Sequence, residues 1–209
     1  MRSLRSLVFG IVLALSWPAA AQLVAPLTTS DGRIACIQGM TGVGRAVQWQ
    51  AVPEPSAPGG WGLSETAGDA TDLRFPLCIS PQTVARDVDA TLRFKAIGGS
   101  HARAAGLVLR AQSAEDYYVV RTDALAGSVR LYRMQRGRRA LVTGKDVEVA
   151  SERWHALRVV LKGDSFEISL DDKPLFTATD SSLPQAGTVG VWSQADSVIV
   201  FGSLLVGPP

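Results

Sequence analysis

From Asp87 to Val206 apolar and polar residues alternate with a period of two, and that pattern leaves few folds open to this chain. In DVDATLRFKA, Val88, Ala90, Leu92 and Phe94 share one face, while Asp89, Thr91, Arg93 and Lys95 share the other. Successive side chains of a strand point to opposite faces, so the segment reads as a half-buried antiparallel strand. The pattern returns in Ala105–Arg110, Tyr117–Asp123, Ser128–Gln135, Arg139–Gly144 and Trp154–Lys162. It continues in Ser165–Asp172, Pro174–Thr179, Thr188–Ser193 and Ser197–Val206. Turn signals separate these segments: Arg136-Gly137 between charged residues, Lys162-Gly163-Asp164, and Asp171-Asp172-Lys173-Pro174. Many short strands at regular spacing predict an all-β fold, a two-sheet antiparallel β-sandwich or jelly roll.

Residues 22–86 are less regular. Ala51–Gly60 is rich in Pro and Gly and reads as a loop. Arg74–Ser80 reads as a strand that Pro76 confines to an edge or a bulge. Too few apolar residues remain for a second core. The expected organisation is one sandwich domain over 22–209, with outer strands from 22–86 and the core of the sandwich from 87–206.

Residues 1–21 read as a cleaved signal peptide. Arg2 and Arg5 form a positive start, Leu7–Leu15 an apolar run, Pro18 a helix breaker, and Ala19-Ala20-Ala21 a small-residue cleavage site. The apolar run is far shorter than the roughly 20 residues that span a bilayer, so no integral membrane segment is expected after cleavage. The expected location is a bacterial periplasm or the medium beyond it. Of 21 Lys and Arg, Arg2 and Arg5 lie in this leader, which leaves 19 against 19 Asp and Glu. A neutral mature chain lacks the basic surplus that nucleic acid or an anionic membrane attracts, so neither is an expected partner. In an oxidising compartment the two cysteines, Cys36 and Cys78, are expected to form a disulfide; the alternative is a pair of buried thiols in flanking strands.

Pairing the central hairpins exposes a candidate binding face. Closing the AQSAED connection sets Arg110 against Tyr117, Val108 against Val119 and Gly106 against Arg121. The next turn sets Arg121 against Arg130 and Val119 against Tyr132. Leu107, Leu109, Tyr118, Val120, Val129 and Leu131 then face the core. Arg110, Tyr117, Arg121, Arg130, Tyr132 and Met134 face away from it, and a one-residue slip would exchange the two sets. Guanidinium groups offer a planar fork of donors to hydroxyls and carboxylates, and tyrosine offers a flat amphipathic plane, a combination suited to a saccharide and especially an acidic one. The opposed Arg121 and Arg130 invite an anion or a neighbouring carboxylate such as Asp123. The plainer reading is a solvated sheet face whose arginine stems cover apolar surface. Trp192 and His155 are secondary candidates for the site, while Trp49 and Trp154 read as packing.

The stretches DVDATLRFKA, AAGLVLRAQSAEDYYVVRTDA, VRLYRMQRGRR, ERWHALRVVLKGDSFEISLDDKPLFTATD and AGTVGVWSQADSVIVFGSLLV together resemble the concanavalin A-like lectin and glucanase superfamily. Within it they are similar to exported 3-keto-disaccharide hydrolase domains of the glycoside hydrolase family 16-like type, and to laminin-G-like modules. The resemblance implies a sandwich whose concave face handles saccharides. It departs from those domains after Phe201, where Gly202 and Ser203 stand in place of an acidic pair.

Enzyme signatures are mostly absent. A retaining glycosidase needs two carboxylates about 5 Å apart, and no E-x-D-x(x)-E run supplies them. The two histidines, His101 and His155, exclude a His-rich metal centre, and no nucleophile elbow or phosphate loop occurs. Neither a metal nor a cofactor is expected. The sequence therefore supports saccharide or glycan binding through the Arg/Tyr face. The alternatives are a glycoside hydrolase acting on 3-keto-disaccharides or related sugars, and a non-enzymatic protein-interaction module of the cell envelope.

Overall fold

A computed structural model describes residues 22–209; the expected leader lies outside the described residues. The strands are β1 (Leu23–Ala25), β2 (Ile37–Gly42), β3 (Trp49–Pro53), β4 (Trp61–Glu65), β5 (Arg74–Ala85), β6 (Val88–Gly98), β7 (Ala104–Ala111) and β8 (Tyr117–Asp123). They continue as β9 (Ser128–Gln135), β10 (Arg138–Asp146), β11 (Trp154–Lys162), β12 (Ser165–Leu170), β13 (Lys173–Thr179), β14 (Gly187–Ser193) and β15 (Val198–Gly207). One sheet runs β13-β12-β11-β6-β15-β4-β3, with β1 laid along β15. The other is seven-stranded and runs β10-β9-β8-β7-β14-β5-β2. Neighbouring strands are antiparallel throughout. The fold is the antiparallel sandwich that the alternation predicts.

The period of two explains the core. Val88, Ala90, Leu92 and Phe94 of β6, with Leu157, Val159 and Leu161 of β11, meet Leu107, Leu109, Tyr118, Val120, Val129 and Leu131 from the seven-stranded sheet. Each is buried, and burying a large aliphatic or aromatic side chain stabilises the fold by about 1.5–3 kcal/mol. The hairpin register is also the expected one: Val108 pairs with Val119, Gly106 with Arg121, Arg121 with Arg130, and Val119 with Tyr132.

The N-terminal third is more deeply woven in than its composition suggests. Strand β5 lies between β14 and β2, so of the two placements expected for Arg74–Ser80, an edge or a bulge, the edge is corrected. Pro76 is tolerated because only β2 pairs beside it, through Met40, while the ladder to β14 starts at Leu77. Cys36, just before β2, forms a disulfide with Cys78 of β5. Closing a loop of 42 residues stabilises the fold by about 4 kcal/mol on the chain-entropy account.

A buried ion pair ties this third to both sheets. The Arg74 guanidinium at the start of β5 donates to Glu65 at the end of β4 in bidentate fashion, at 2.8 and 3.0 Å. It also donates to the carbonyls of Arg45, Ala46 and Ala195, so all five of its N–H groups find acceptors. Glu65 in turn accepts the backbone N–H groups of Gln48 and Ala67. Removing one partner of such a pair strands a buried charge. Glu65→Ala is expected to lower the unfolding free energy by about 3–5 kcal/mol, measured by denaturant titration; a loss under about 1 kcal/mol would show that the pair is dispensable.

Candidate functional site

The outward face of the seven-stranded sheet carries a second apolar cluster, separate from the main core: Phe75, Leu77, Val108, Tyr117, Val119, Met134 and Trp192 among others. Its aromatic groups are ordered by glycine and by polar handles. Trp192 lies across the sheet over its ladder partner Gly106, where a Cβ would stand 2.7 Å from Val119 and 3.0 Å from the indole. Trp192 stacks on Phe75 at 5.3 Å between ring centroids. The Trp192 Nε1–H donates to the Tyr117 hydroxyl, which lies 2.8 Å from Thr41 Oγ1, and Thr41 donates onward to the Ala114 carbonyl.

Arg139 of β10 closes this column. Its guanidinium carbon lies 4.7 Å from the centre of the Phe75 ring and 4.9 Å from that of Tyr132. Strand β10 is five strand steps from β5, about 24 Å across a flat sheet and farther than an arginine and a phenylalanine can span. The sheet therefore curls over its outward face, and that face is concave. Burial lowers the Arg139 pKa, yet the group remains a cation at neutral pH. Arg139 donates to Gln194 Oε1 at 3.3 Å, and among the described residues it forms no ion pair with a carboxylate.

Arg121, Arg130 and Tyr132 stand on this face together, as their alternation requires. The repulsion between the opposed arginines is relieved by carboxylates: Arg121 pairs with Asp123, and Arg130 pairs with Asp146. Asp123 is buried and also accepts the backbone N–H groups of Arg103, Leu125 and Ala126, so it caps a turn. Tyr132 and Arg139 are half-buried and reach the surface.

Other candidates sit elsewhere or beneath. Arg110 does not share the face. Its φ of +49° breaks the alternation at the end of β7, and the side chain turns inward to the carbonyls of Arg86, Leu183 and Gly163. Tyr117 and Trp192 lie on the face but are fully buried, so they form its floor and not its contact surface. His155 is on the other sheet, packed on Phe94 and hydrogen-bonded to Asp171 and to the Ala150 carbonyl. Arg139, which the alternation alone does not single out, is the added member; the clue in the sequence is its place just after the Arg136-Gly137 turn, opposite Met134. Among the described residues no three His, Cys, Asp or Glu side chains gather as a metal-ligand set.

No family model matches the chain, and no curated protein matches it. Solved structures do. Carbohydrate binding module CBM66 from Bacillus subtilis superimposes with a TM-score of 0.64 at 21% identity, over 81% of this chain and 95% of that one. A Bacillus subtilis protein of unknown function with a galectin-like fold gives 0.62 at 14% identity, over 90% and 96%. The exoplasmic/lumenal domain of VIP36 in its Ca2+-bound form gives 0.60 at 11% identity, over 90% of each chain. The likeness is one of fold, a two-sheet antiparallel sandwich of the concanavalin A-like type. On the concave face of this sandwich stands the arginine-capped aromatic column.

Two measurements test that column. Gly106→Ala is expected to cost about 1–3 kcal/mol by overpacking and to alter the near-UV circular dichroism of Trp192; an unchanged spectrum and stability would refute the seating. Burial pushes the phenols of Tyr117 and Tyr118 up to about 12 from 10.0. Between those values the folded state holds protons that the unfolded state has lost, so stability falls as pH rises from 10 towards 12. Following phenolate absorbance against pH should show the Tyr117 and Tyr118 phenols ionising only as the chain unfolds; either phenol ionising in the folded protein near its ordinary value would contradict that burial.

Proposed function

We propose that this protein is exported and binds saccharides through the concave face, with Tyr132 and Arg139 as the contact surface and Arg121 and Arg130 as flanking donors. The observation that carries the reading is the Tyr132–Arg139 stack. It presents an aromatic plane beside a cation that has no carboxylate partner among the described residues, so N–H donors remain for sugar hydroxyls or a sugar carboxylate. Support also comes from the fold, which is shared with a protein named as a carbohydrate binding module. The leader pattern in residues 1–21 and the Cys36–Cys78 disulfide favour an oxidising, extracytoplasmic location such as the periplasm. The carboxylates on the face are held by arginines or cap a turn, which favours binding over a two-carboxylate hydrolytic mechanism.

The test is a glycan array of neutral and acidic saccharides probed with the purified protein and with Tyr132→Ala and Arg139→Ala. Each variant is expected to lose about tenfold or more in affinity, the effect of one charge-assisted hydrogen bond or one stacking plane. A folded wild-type protein that binds nothing on the array, or variants that bind as the wild type does, would sink the reading.

A further inference from the structure

The β9–β10 hairpin carries a second feature that the concave face does not use. Residues on these strands alternate between faces, so Arg133 and Ala140, which pair in the ladder, point opposite to Tyr132 and Arg139. On that side Arg133, Gln135, Arg136, Arg138 and Ala140 line a groove of about 650 Å³. Three guanidinium groups face it and no carboxylate lines it.

These arginines are differently placed. Arg133 is anchored, donating to Asp180 Oδ2 at 2.8 Å and to Ser182 Oγ at 2.5 Å. Its Nε–H is nonetheless buried without a hydrogen-bond partner. A donor left unpaired is unfavourable, and a small shift of the side chain towards the groove would bring it to an acceptor there. The side chains of Arg136 and Arg138 are exposed, and among the described residues neither makes an ion pair. The turn between them is rigidly held: Arg136 N–H donates to Asp116 at 3.0 Å, and Gly137 N–H to the Glu115 carbonyl at 3.1 Å. Both turn residues have positive φ, +51° and +71°, which is the hairpin geometry that glycine and asparagine favour and that arginine adopts at a cost. The turn therefore carries a cation, Arg136, where glycine or asparagine would fold more easily.

From this arrangement we propose that the groove is an oxyanion subsite and that the saccharide bound by this protein is acidic, bearing carboxylate or sulfate groups. The proposal rests on the saccharide reading and deepens it. Strand β10 is an edge strand, so an extended glycan crossing it meets Tyr132 and Arg139 on one side and Arg133, Arg136 and Arg138 on the other. Guanidinium forks match planar oxyanions with paired hydrogen bonds, which a neutral sugar cannot exploit.

The experiment is affinity electrophoresis and calorimetry with polygalacturonate, dextran sulfate and neutral dextran. The proteins are the wild type, Arg136→Ala/Arg138→Ala, and the control Arg153→Ala/Lys173→Ala, which removes as many exposed cations elsewhere. The hairpin variant should bind the polyanions about tenfold more weakly or worse, and the control within about twofold of wild type. The tighter polyanion then tells carboxylate from sulfate. In the wild type, the Arg133 Nε–H resonance should shift on titration with galacturonate or sulfate. Equal losses in both variants, no loss in the hairpin variant, or wild-type protein that binds neither polyanion would each overturn the subsite. Those outcomes leave the saccharide reading to stand or fall on the neutral sugars of the array and on Arg139→Ala.

Discussion

The buried contact between Arg74 and Glu65 is the constraint on which the concave face depends. Glu65 ends a strand of one sheet and Arg74 begins a strand of the other, so the pair fixes how the sheets meet at this end. Its reach extends further, because the Arg74 side chain and backbone both engage Ala195: Nη1 donates to the Ala195 carbonyl, and the Ala195 N–H donates to the Arg74 carbonyl. The neighbouring Gln194 is thereby held where its amide accepts from Arg139 and donates to the Asp72 carbonyl. A buried ion pair is weak evidence for net stability, since desolvation offsets most of its attraction. Here its value is positional. It sets the far anchor of the arginine that bridges the concave face.

That bridging arginine changes what the face can do. A curled sheet lined with small residues would leave an open trough, but here Trp192, Tyr117, Phe75, Met134 and Val119 fill it. Tyr117 and Trp192 satisfy each other's polar atoms, so the aromatic filling carries no stranded donor that would call for a ligand deep inside. On the proposed reading, contact with a saccharide falls at the rim, where Tyr132 and Arg139 come to the surface. A rim site favours a segment of an extended chain over a small sugar enclosed in a pocket, because enclosure is what a small ligand relies on for affinity.

Where strands alternate cleanly, the structure was legible from residue types. The pairing of Arg121 with Arg130 and of Val119 with Tyr132 follows from the alternation, since a one-residue slip would put Leu107, Tyr118 and Leu131 into water. Arg110 was misplaced because a single positive φ at the strand end undoes the period, and nothing in an arginine announces that conformation. Alternation puts Tyr117 on the right face, and Trp192, a secondary candidate, shares it; the burial of both comes from the Ala114 loop and from curvature, neither of which a local pattern encodes. Arg139 escaped for the same reason, as its contact with Phe75 exists only because the sheet curls. The interior position of β5 is hidden because Pro76 points to an edge or a bulge and because its anchor, Arg74 with Glu65, looks like surface charge in a sequence.

The edge on which these features converge has its own logic. Strand β10 is unpaired along its outer side, and such an edge invites another strand. The chain discourages this with a register irregularity between Leu141 and Thr143 and with Arg138, Lys145 and Asp146 along the strand. A partner that came as a β-strand would have to cross that bulge and desolvate those charges. A hydrated, flexible polysaccharide needs no continuous backbone ladder, and it can answer guanidinium groups with oxygen atoms. The same residues that disfavour a protein strand at this edge thus suit the proposed glycan, with stacking and cationic donors on one side of the strand and further cations on the other.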